Sequence, residues 1–430
     1  MPINITGAVI AGNKQHFSWM STIIPITAVS SGLSLFMPLF ILYLGGNVFD
    51  VGIAFAVYNL VSIPSSLFWG KITDRYGRVK PFIMLSVIFT LPLLFVYHLF
   101  SSLTNAYFFY GIFAVIATAS SPAMNILVMG TKRSNSLPKY FSRYSIFSLL
   151  GSVMAYVFGY FVATKDLTTY LFILIFFNVI SIFLAYILIK DQVRLIEMKK
   201  VKKVSSVFPI LNMLTSLPNL MINVVTIKRI HNTIKKIQKR DVYMLLIAIA
   251  FFNLGFYIFN TAYVPYLNLK GLSFNDIFLI NGANAVAQIV VFLYIIKIRR
   301  GIKPGRVYMT GITYRSISYL IAAVAIFVPM AFLSVNIIAY AIAGFAYAVW
   351  NLSSSVLLYD LVRGKDEGYF IGIWTGLLGG SAVIGALVSG LFVFSIGYQM
   401  TFVIATIATV LSGGIFHGSK LIVNKSSKKK

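Results

Sequence analysis

Apart from residues 204–227, nine stretches of 20 residues or more carry no formally charged side chain: residues 15–49, 51–70, 81–131, 144–164, 167–189, 242–269, 277–296, 316–359 and 368–419. A helix needs about 20 apolar residues to cross about 30 Å of hydrocarbon, so each stretch is long enough to span a bilayer. The three longest hold two crossings each, with breaks at Ser101-Ser102, near Pro329 and near Ser395-Gly397. With the stretch from Arg306 through Arg315, the reading is twelve spans at approximately 18–46, 51–70, 80–100, 105–130, 143–163, 169–190, 242–267, 275–296, 306–328, 333–359, 368–392 and 398–419. The expected fold class is an all-α integral membrane protein. A soluble globule is excluded, because 11% charged residues against 59% apolar ones leave too little polar surface to face water on all sides. With no cysteine in the sequence, thiol catalysis and thiolate metal sites are excluded too.

The net charge of +26 fits either nucleic acid or an anionic membrane surface, and its placement decides between them. With the N-terminus in the cytoplasm, 33 of the 36 lysines and arginines fall on the cytoplasmic side, Lys165 and Lys270 fall outside, and Arg315 lies within a span. Such a bias fixes both termini in the cytoplasm of a multi-pass cell-membrane protein. The charge is spread over every inner loop, which argues for an anionic inner leaflet as its partner and against nucleic acid.

Residues 204–227 are uncharged and long enough to span, but they contain Pro209, Pro218, Asn212, Asn219 and Asn223, with basic clusters on both sides. A crossing here would put one cluster outside and invert everything downstream. Residues 192–241 are therefore expected to be a basic cytoplasmic linker with amphipathic helices on the inner leaflet. It separates an N-terminal six-helix bundle, 1–191, from a C-terminal one, 242–430.

The two bundles read as a duplication. Gly45 and Gly271 are 226 residues apart, as are Asp50 and Asp276; Gly77-Arg78 and Gly305-Arg306 are offset by 228, and Tyr140-Phe141 and Tyr369-Phe370 by 229. Between the second and third spans stands Gly70-Lys71-Ile72-Thr73-Asp74-Arg75-Tyr76-Gly77-Arg78-Val79-Lys80, a tight basic turn at the inner headgroups. This motif resembles the loop 2–3 signature of the major facilitator superfamily. Twelve spans in two repeated halves with a long central loop are similar to the same family.

The resemblance implies a transporter that works by alternating access around a midplane site. It also implies a gating motif of Gly70, Asp74, Arg75, Gly77 and Arg78, with Asp74 and Arg78 latching against the cytoplasmic start of the eleventh span near Tyr369. Such a latch favours the outward-open state. Asp360 and Arg363, at the end of the tenth span, resemble a family pattern that pairs the halves at the inner face. The second half keeps Gly305-Arg306 but has no acid where Asp74 stands in the first, so the latch is one-sided.

All ten acids lie at loops or helix ends, which leaves no carboxylate at depth to couple a proton. The fourth span lacks the arginine, and the fifth the Gly-Pro pair, expected of proton-driven drug antiporters. Arg315 is the one formal charge within a span, about 14 Å from Arg306 at 1.5 Å per residue. The expectation for it is snorkelling back to the inner leaflet; facing the cavity, it would turn the substrate class towards anions. His98 and His417 are read as interfacial. In a fold of this kind the first, fourth, seventh and tenth helices line the cavity, helped by the second, fifth, eighth and eleventh. Asn125, Asn253, Tyr257, Asn260, Asn284, Gln288, Trp350, Asn351 and Trp374 are the substrate-cavity candidates, each of which could instead be glue between helices.

The expected activity is secondary or facilitative transport of a small organic solute, neutral or hydrophobic, by a monomer. No cofactor and no metal are called for, and a coupling ion is left open, as is efflux against uptake. Two other readings are a receptor or scaffold on the same fold and a membrane-embedded lipid enzyme, for which Asp366-Glu367 is the only adjacent acidic pair.

Overall fold

A computed structural model describes residues 18–76, 78–99, 102–130, 137–162, 167–189, 240–297, 303–362 and 367–419. The side chains of 74, 75, 129, 130, 137–139, 359–362 and 367–373 lie outside that set. Every regular element among the described residues is a helix. After a 3-10 turn at Ser18–Thr22, the first half runs through α1 (Ile23–Tyr43), α2 (Val48–Tyr76), α3 (Lys80–Leu99), α4 (Leu103–Ala117, resumed at Ser120–Gly130), α5 (Leu137–Val162) and α6 (Leu167–Leu188). The second comprises α7 (Arg240–Leu269), α8 (Phe274–Lys297), α9 (Pro304–Val324), α10 (Phe332–Val362) and the run Glu367–His417. That run is two helices joined at Gly397, whose φ of 81° and ψ of 171° are not helical; we number them α11 and α12. Twelve crossings result.

The breaks fall where the sequence punctuates it. Ser102 caps α4 by accepting the Asn105 N–H at 3.2 Å. Between α9 and α10 the chain passes through 3-10 turns at Ala325–Phe327 and Pro329–Ala331. The interruption of α4 at Thr118–Ala119 was not anticipated by the sequence reading. It sits four residues before Pro122, whose missing N–H and bulky ring disrupt the helix at the Thr118 carbonyl.

The duplication is visible in the turns before α2 and α8. Gly45 has φ 85° and Gly271 φ 84°, the left-handed conformation that favours glycine. Asn47 then caps α2, and its N–H returns to Asp50 Oδ2 at 2.7 Å. Ser273 caps α8 in the same way, with its N–H on Asp276 Oδ2 at 3.1 Å. Both are capping boxes, an asparagine or serine paired with an acid three residues on.

Both described termini, Ser18 and Ser419, lie on one face of the bundle, here called the terminal face. On the far face a single buried core joins the halves, holding Phe36 and Phe40 of α1 together with Tyr266 of α7 and Phe278 of α8. On the terminal face the halves keep separate cores. The first packs Trp19, Ile72, Phe82 and Met124; the second packs Leu245, Phe252, Tyr308 and Phe416. A small patch, where Ile146 and Leu149 of α5 meet Val291 and Phe292 of α8, joins the halves on that side.

Candidate functional site

The far-face seam is built on small residues. A Cβ added at Gly52 of α2 would lie 2.7 Å from the Ala386 carbonyl oxygen of α11, and one at Gly390 would lie 2.8 Å from Phe49 Cα. Gly159 of α5 gives room to the Phe278 ring of α8, which also meets Tyr170 edge-on at 4.9 Å. Asn275 donates Nδ2 to the Tyr160 carbonyl at 2.6 Å. Nearer mid-depth, Ile63 of α2 fills the space over Gly379 of α11. Gly376 and Gly380, in the same stretch of α11, have open space where a Cβ would stand. The halves are thus closed towards the far face and part towards the terminal face.

Polar and aromatic side chains stand where the halves part. Asn59 of α2 donates its amide to the Phe55 carbonyl at 2.8 Å, which leaves Oδ1 to accept the Tyr257 hydroxyl of α7 at 3.3 Å across the interface. Beside Asn59, Tyr58 packs on Tyr110 of α4 with ring centroids 4.6 Å apart. On α10, Asn336, Tyr340, Ala343 and Tyr347 follow at helical spacing and turn towards α7 and α9. Tyr340 donates to Asn260 Oδ1 at 2.9 Å, and its ring stacks on Tyr263 at 4.7 Å. Tyr347 lies 5.2 Å from the Phe256 ring.

Of the sequence candidates, Tyr257, Asn260, Asn284 and Gln288 belong to this partly exposed set. Asn284 donates to the Tyr340 carbonyl at 2.8 Å, and its Oδ1 accepts Gln288 Nε2 at 2.8 Å. Asn253 is buried and ties α7 to the Leu378 carbonyl of α11 at 2.6 Å, which makes it interhelix glue. Trp350 requires a correction as a cavity residue. It is 3% exposed and stacks on Phe252 at 3.9 Å, inside the second half's terminal-face core. Aromatic neighbours on α7 and α9 at the same depth enclose it. Trp374 packs against that same core with its indole Nε1 buried, Asn351 is half-buried, and Asn125 is exposed on α4.

Sequence reasoning missed Asn59, Phe256, Tyr340 and Tyr347. The spacing of Asn336, Tyr340 and Tyr347, which puts three polar-tipped side chains on one face of an apolar helix, was the available signal.

Arg315 overturns its sequence expectation. It does not snorkel to the headgroups but is 1% exposed, between α7, α9 and α10. Its Nε donates to Tyr319 Oη at 2.8 Å and Nη1 to the Ala343 carbonyl at 2.9 Å. The guanidinium carbon lies 4.7 Å from the Phe256 ring centre and 5.0 Å from that of Tyr319. Tyr319 stands one helical turn after Arg315, so both side chains share a face and reach the bundle interior together.

In the gating motif, Gly70 lies within α2 and Arg78 is exposed. Gly77 and Arg363 lie outside the described residues, as do the side chains of Asp74, Arg75, Asp360 and Tyr369. The linker read at 192–241 lies outside them except for Arg240 and Asp241, which open α7. His98 meets Phe172 edge-on at 4.7 Å near the far-face end of α3, and His417 is exposed at the end of α12.

The family model described as Major Facilitator Superfamily matches residues 20–335. Among solved structures, a POT family transporter in complex with 5-aminolevulinic acid superposes with a TM-score of 0.73 at 12% identity, covering 96% of this chain and 97% of that one. The nucleoside transporter NupG superposes with a TM-score of 0.63 at 14% identity, covering 96% and 100%. At these identities the likeness is one of fold. No curated protein matches the sequence.

Proposed function

We propose, proceeding from the fact that this chain belongs to the major facilitator superfamily, that it carries a small organic solute across the cell membrane by alternating access, both termini lying in the cytoplasm. The observation that carries this reading is the asymmetry of the cores: one shared core on the far face, two largely separate ones on the terminal face. Two halves that pack as separate bodies on one side can rock about the far-face seam and expose a midplane site to each side in turn. With the cytoplasm assigned to the terminal face by its lysines and arginines, the conformation is inward-open.

The wall of Tyr58, Tyr257, Asn260, Tyr340 and Tyr347, all partly exposed, with Asn59 buried beneath Tyr257, is uncharged, which suits a solute with an apolar or aromatic body and a few hydrogen-bonding groups. The free energy comes from the solute's own gradient or a coupled one, and no covalent step is needed. Asp74 and Arg78 are proposed to latch α2 to the start of α11 when the terminal face closes, so Asp74→Asn should favour the inward-open state. An equal balance of states in mutant and wild type would discard the latch.

The test of the function is counterflow. Liposomes holding the full-length protein, preloaded with members of a panel of metabolites and lipophilic amphiphiles, are compared with empty liposomes for uptake of the radiolabelled compound. Counterflow of any member above the empty-vesicle rate supports transport. Binding without counterflow would turn the assignment to a receptor or scaffold.

A further inference from the structure

Among the described residues, the guanidinium of Arg315 is a buried cation with only neutral partners. Tyr319 Oη, the Ala343 carbonyl and two aromatic faces surround it, while Nη2 is buried with no hydrogen-bond partner. Three of its five N–H donors, both on Nη2 and the second on Nη1, are therefore unused. A charge at this depth is expensive unless it is paired, and every acid of the chain stands at a loop or helix end.

The fold itself does not require the cation. At the repeat offset of 228 residues, the equivalent position on α3 is Val87, and its carbonyl simply accepts the Asn178 amide of α6 at 2.9 Å. Phe256, whose ring centre is 4.7 Å from the guanidinium carbon, is partly exposed, as are Tyr347, with its ring 5.2 Å from that of Phe256, and Tyr340, one helical turn before Ala343 on α10.

We propose that the transported solute is an organic monocarboxylate whose carboxylate is the counter-ion of Arg315. The carboxylate takes the free Nη1 and Nη2 donors as a two-bond fork, and its apolar or aromatic body lies against Phe256, Tyr340 and Tyr347. One guanidinium neutralises one carboxylate. A phosphate dianion would need a second cation, and every other lysine and arginine is at a loop or helix end. Because Nη2 has no open surface here, the Phe256 or Tyr340 ring swings aside to admit the solute. The proposal rests on the transport reading and replaces a wholly neutral solute with one that is apolar at one end and anionic at the other.

The experiment is a thermal-shift comparison of the detergent-purified full chain with matched acids and amides: benzoate and benzamide, phenylacetate and phenylacetamide, hexanoate and hexanamide. At least one acid should raise Tm by several degrees while its amide does not. Arg315→Met should abolish that shift, and Arg315→Lys should keep part of it. A purely structural arginine would alter the ligand-free Tm of the variants but leave no preference of acid over amide. If Arg315→Met fails to fold, the wild-type contrast and the lysine variant carry the test. Equal shifts by acids and amides, no shift by any acid, or an acid shift that survives Arg315→Met overturns the proposal while counterflow can still succeed. An Arg315-dependent acid shift without counterflow of that acid would overturn the transport reading instead and leave the carboxylate site standing.

Discussion

Asn275, at the start of α8, donates its amide Nδ2 to the backbone carbonyl of Tyr160 in α5 at 2.6 Å, a bond between the two halves on the closed face. Tyr160 is in the last turn of α5, where a carbonyl has no intrahelical partner, so α5 loses nothing by offering it. When the halves part on this side the bond must break, whereas the helices remain intact.

A net hydrogen bond contributes about 1 kcal/mol, enough for roughly a five-fold change in a two-state balance. Asn275→Ala should therefore move the population away from far-face closure. The chain has no cysteine, so a single engineered Ala386→Cys, buried in the far-face seam, reports closure without background. Its alkylation should be slow in the parent and about two- to ten-fold faster with Asn275→Ala. Equal rates would mean that the bond is incidental to closure.

The glycines divide by what a methyl group would meet. At Gly151 of α5 it would run into the Ile24 carbonyl, the Thr27 hydroxyl and the Ala28 nitrogen of α1, two of them backbone atoms that cannot swing away. Gly151→Ala should force α1 and α5 apart and cost about 1–3 kcal/mol, the usual range for overpacking. Gly380→Ala meets nothing within 4 Å and, in a helix interior, should be neutral or slightly stabilising. Thermal unfolding of the two variants in one detergent would test the contrast, which fails if Gly380→Ala is the more damaging.

How much of this was legible beforehand depends on which forces act locally. The crossings and their breaks follow from uncharged length and from Ser102, Pro329 and Gly397, which act on the chain within a turn or two of themselves. The repeat was readable because Gly45 and Asp50, like Gly271 and Asp276, serve one turn each. Which face is closed was not readable, since the shared core of Phe36, Tyr266 and Phe278 brings together residues far apart in the chain. Arg315 was misjudged for the same reason: snorkelling and burial differ only in the neighbours, and Tyr319 one turn away was the single local hint. Trp350 was placed in the cavity because an aromatic on a lining helix reads alike whether it faces the site or, as here, Phe252 behind it.

Asp50 and Asp276 stand in the first turns of α2 and α8, towards the far face, and are the acids of the two capping boxes. Asp50 also accepts the Tyr107 hydroxyl of α4 at 2.8 Å, whereas among the described residues Asp276 is bonded only within its own turn, to Ser273. Asparagine keeps an acceptor but loses the negative charge that a helix N-terminus favours, worth about 0.3–1 kcal/mol, so Asp50→Asn and Asp276→Asn should each lower Tm, the first more than the second. Neither should change the shape of the flux-against-pH curve. A curve flattened by Asp50→Asn would make that carboxylate a proton carrier as well as a cap.

Tyr257 and Asn59 meet at 3.3 Å where the halves begin to part, and their bond can serve either the protein or the solute. Removing the hydroxyl with Tyr257→Phe keeps the ring, whose edge contact with Phe256 is at 5.3 Å, and keeps the Cβ that Gly385 makes room for. The bond is long, so its loss should cost no more than about 1 kcal/mol of stability, and Tm should barely move. If the pair binds solute when the site is occupied, Tyr257→Phe and Asn59→Ala should each raise the KM of counterflow by about five- to ten-fold, the kinetic equivalent of roughly 1–1.4 kcal/mol. The double variant should then be no worse than the more damaging single one, because two partners in one contact lose the same interaction. A bond that only holds the halves together would behave differently, leaving KM unchanged and altering the maximal rate in both single variants. Measuring KM and rate together for the three variants therefore separates a ligand contact from a hinge contact at one pair of residues.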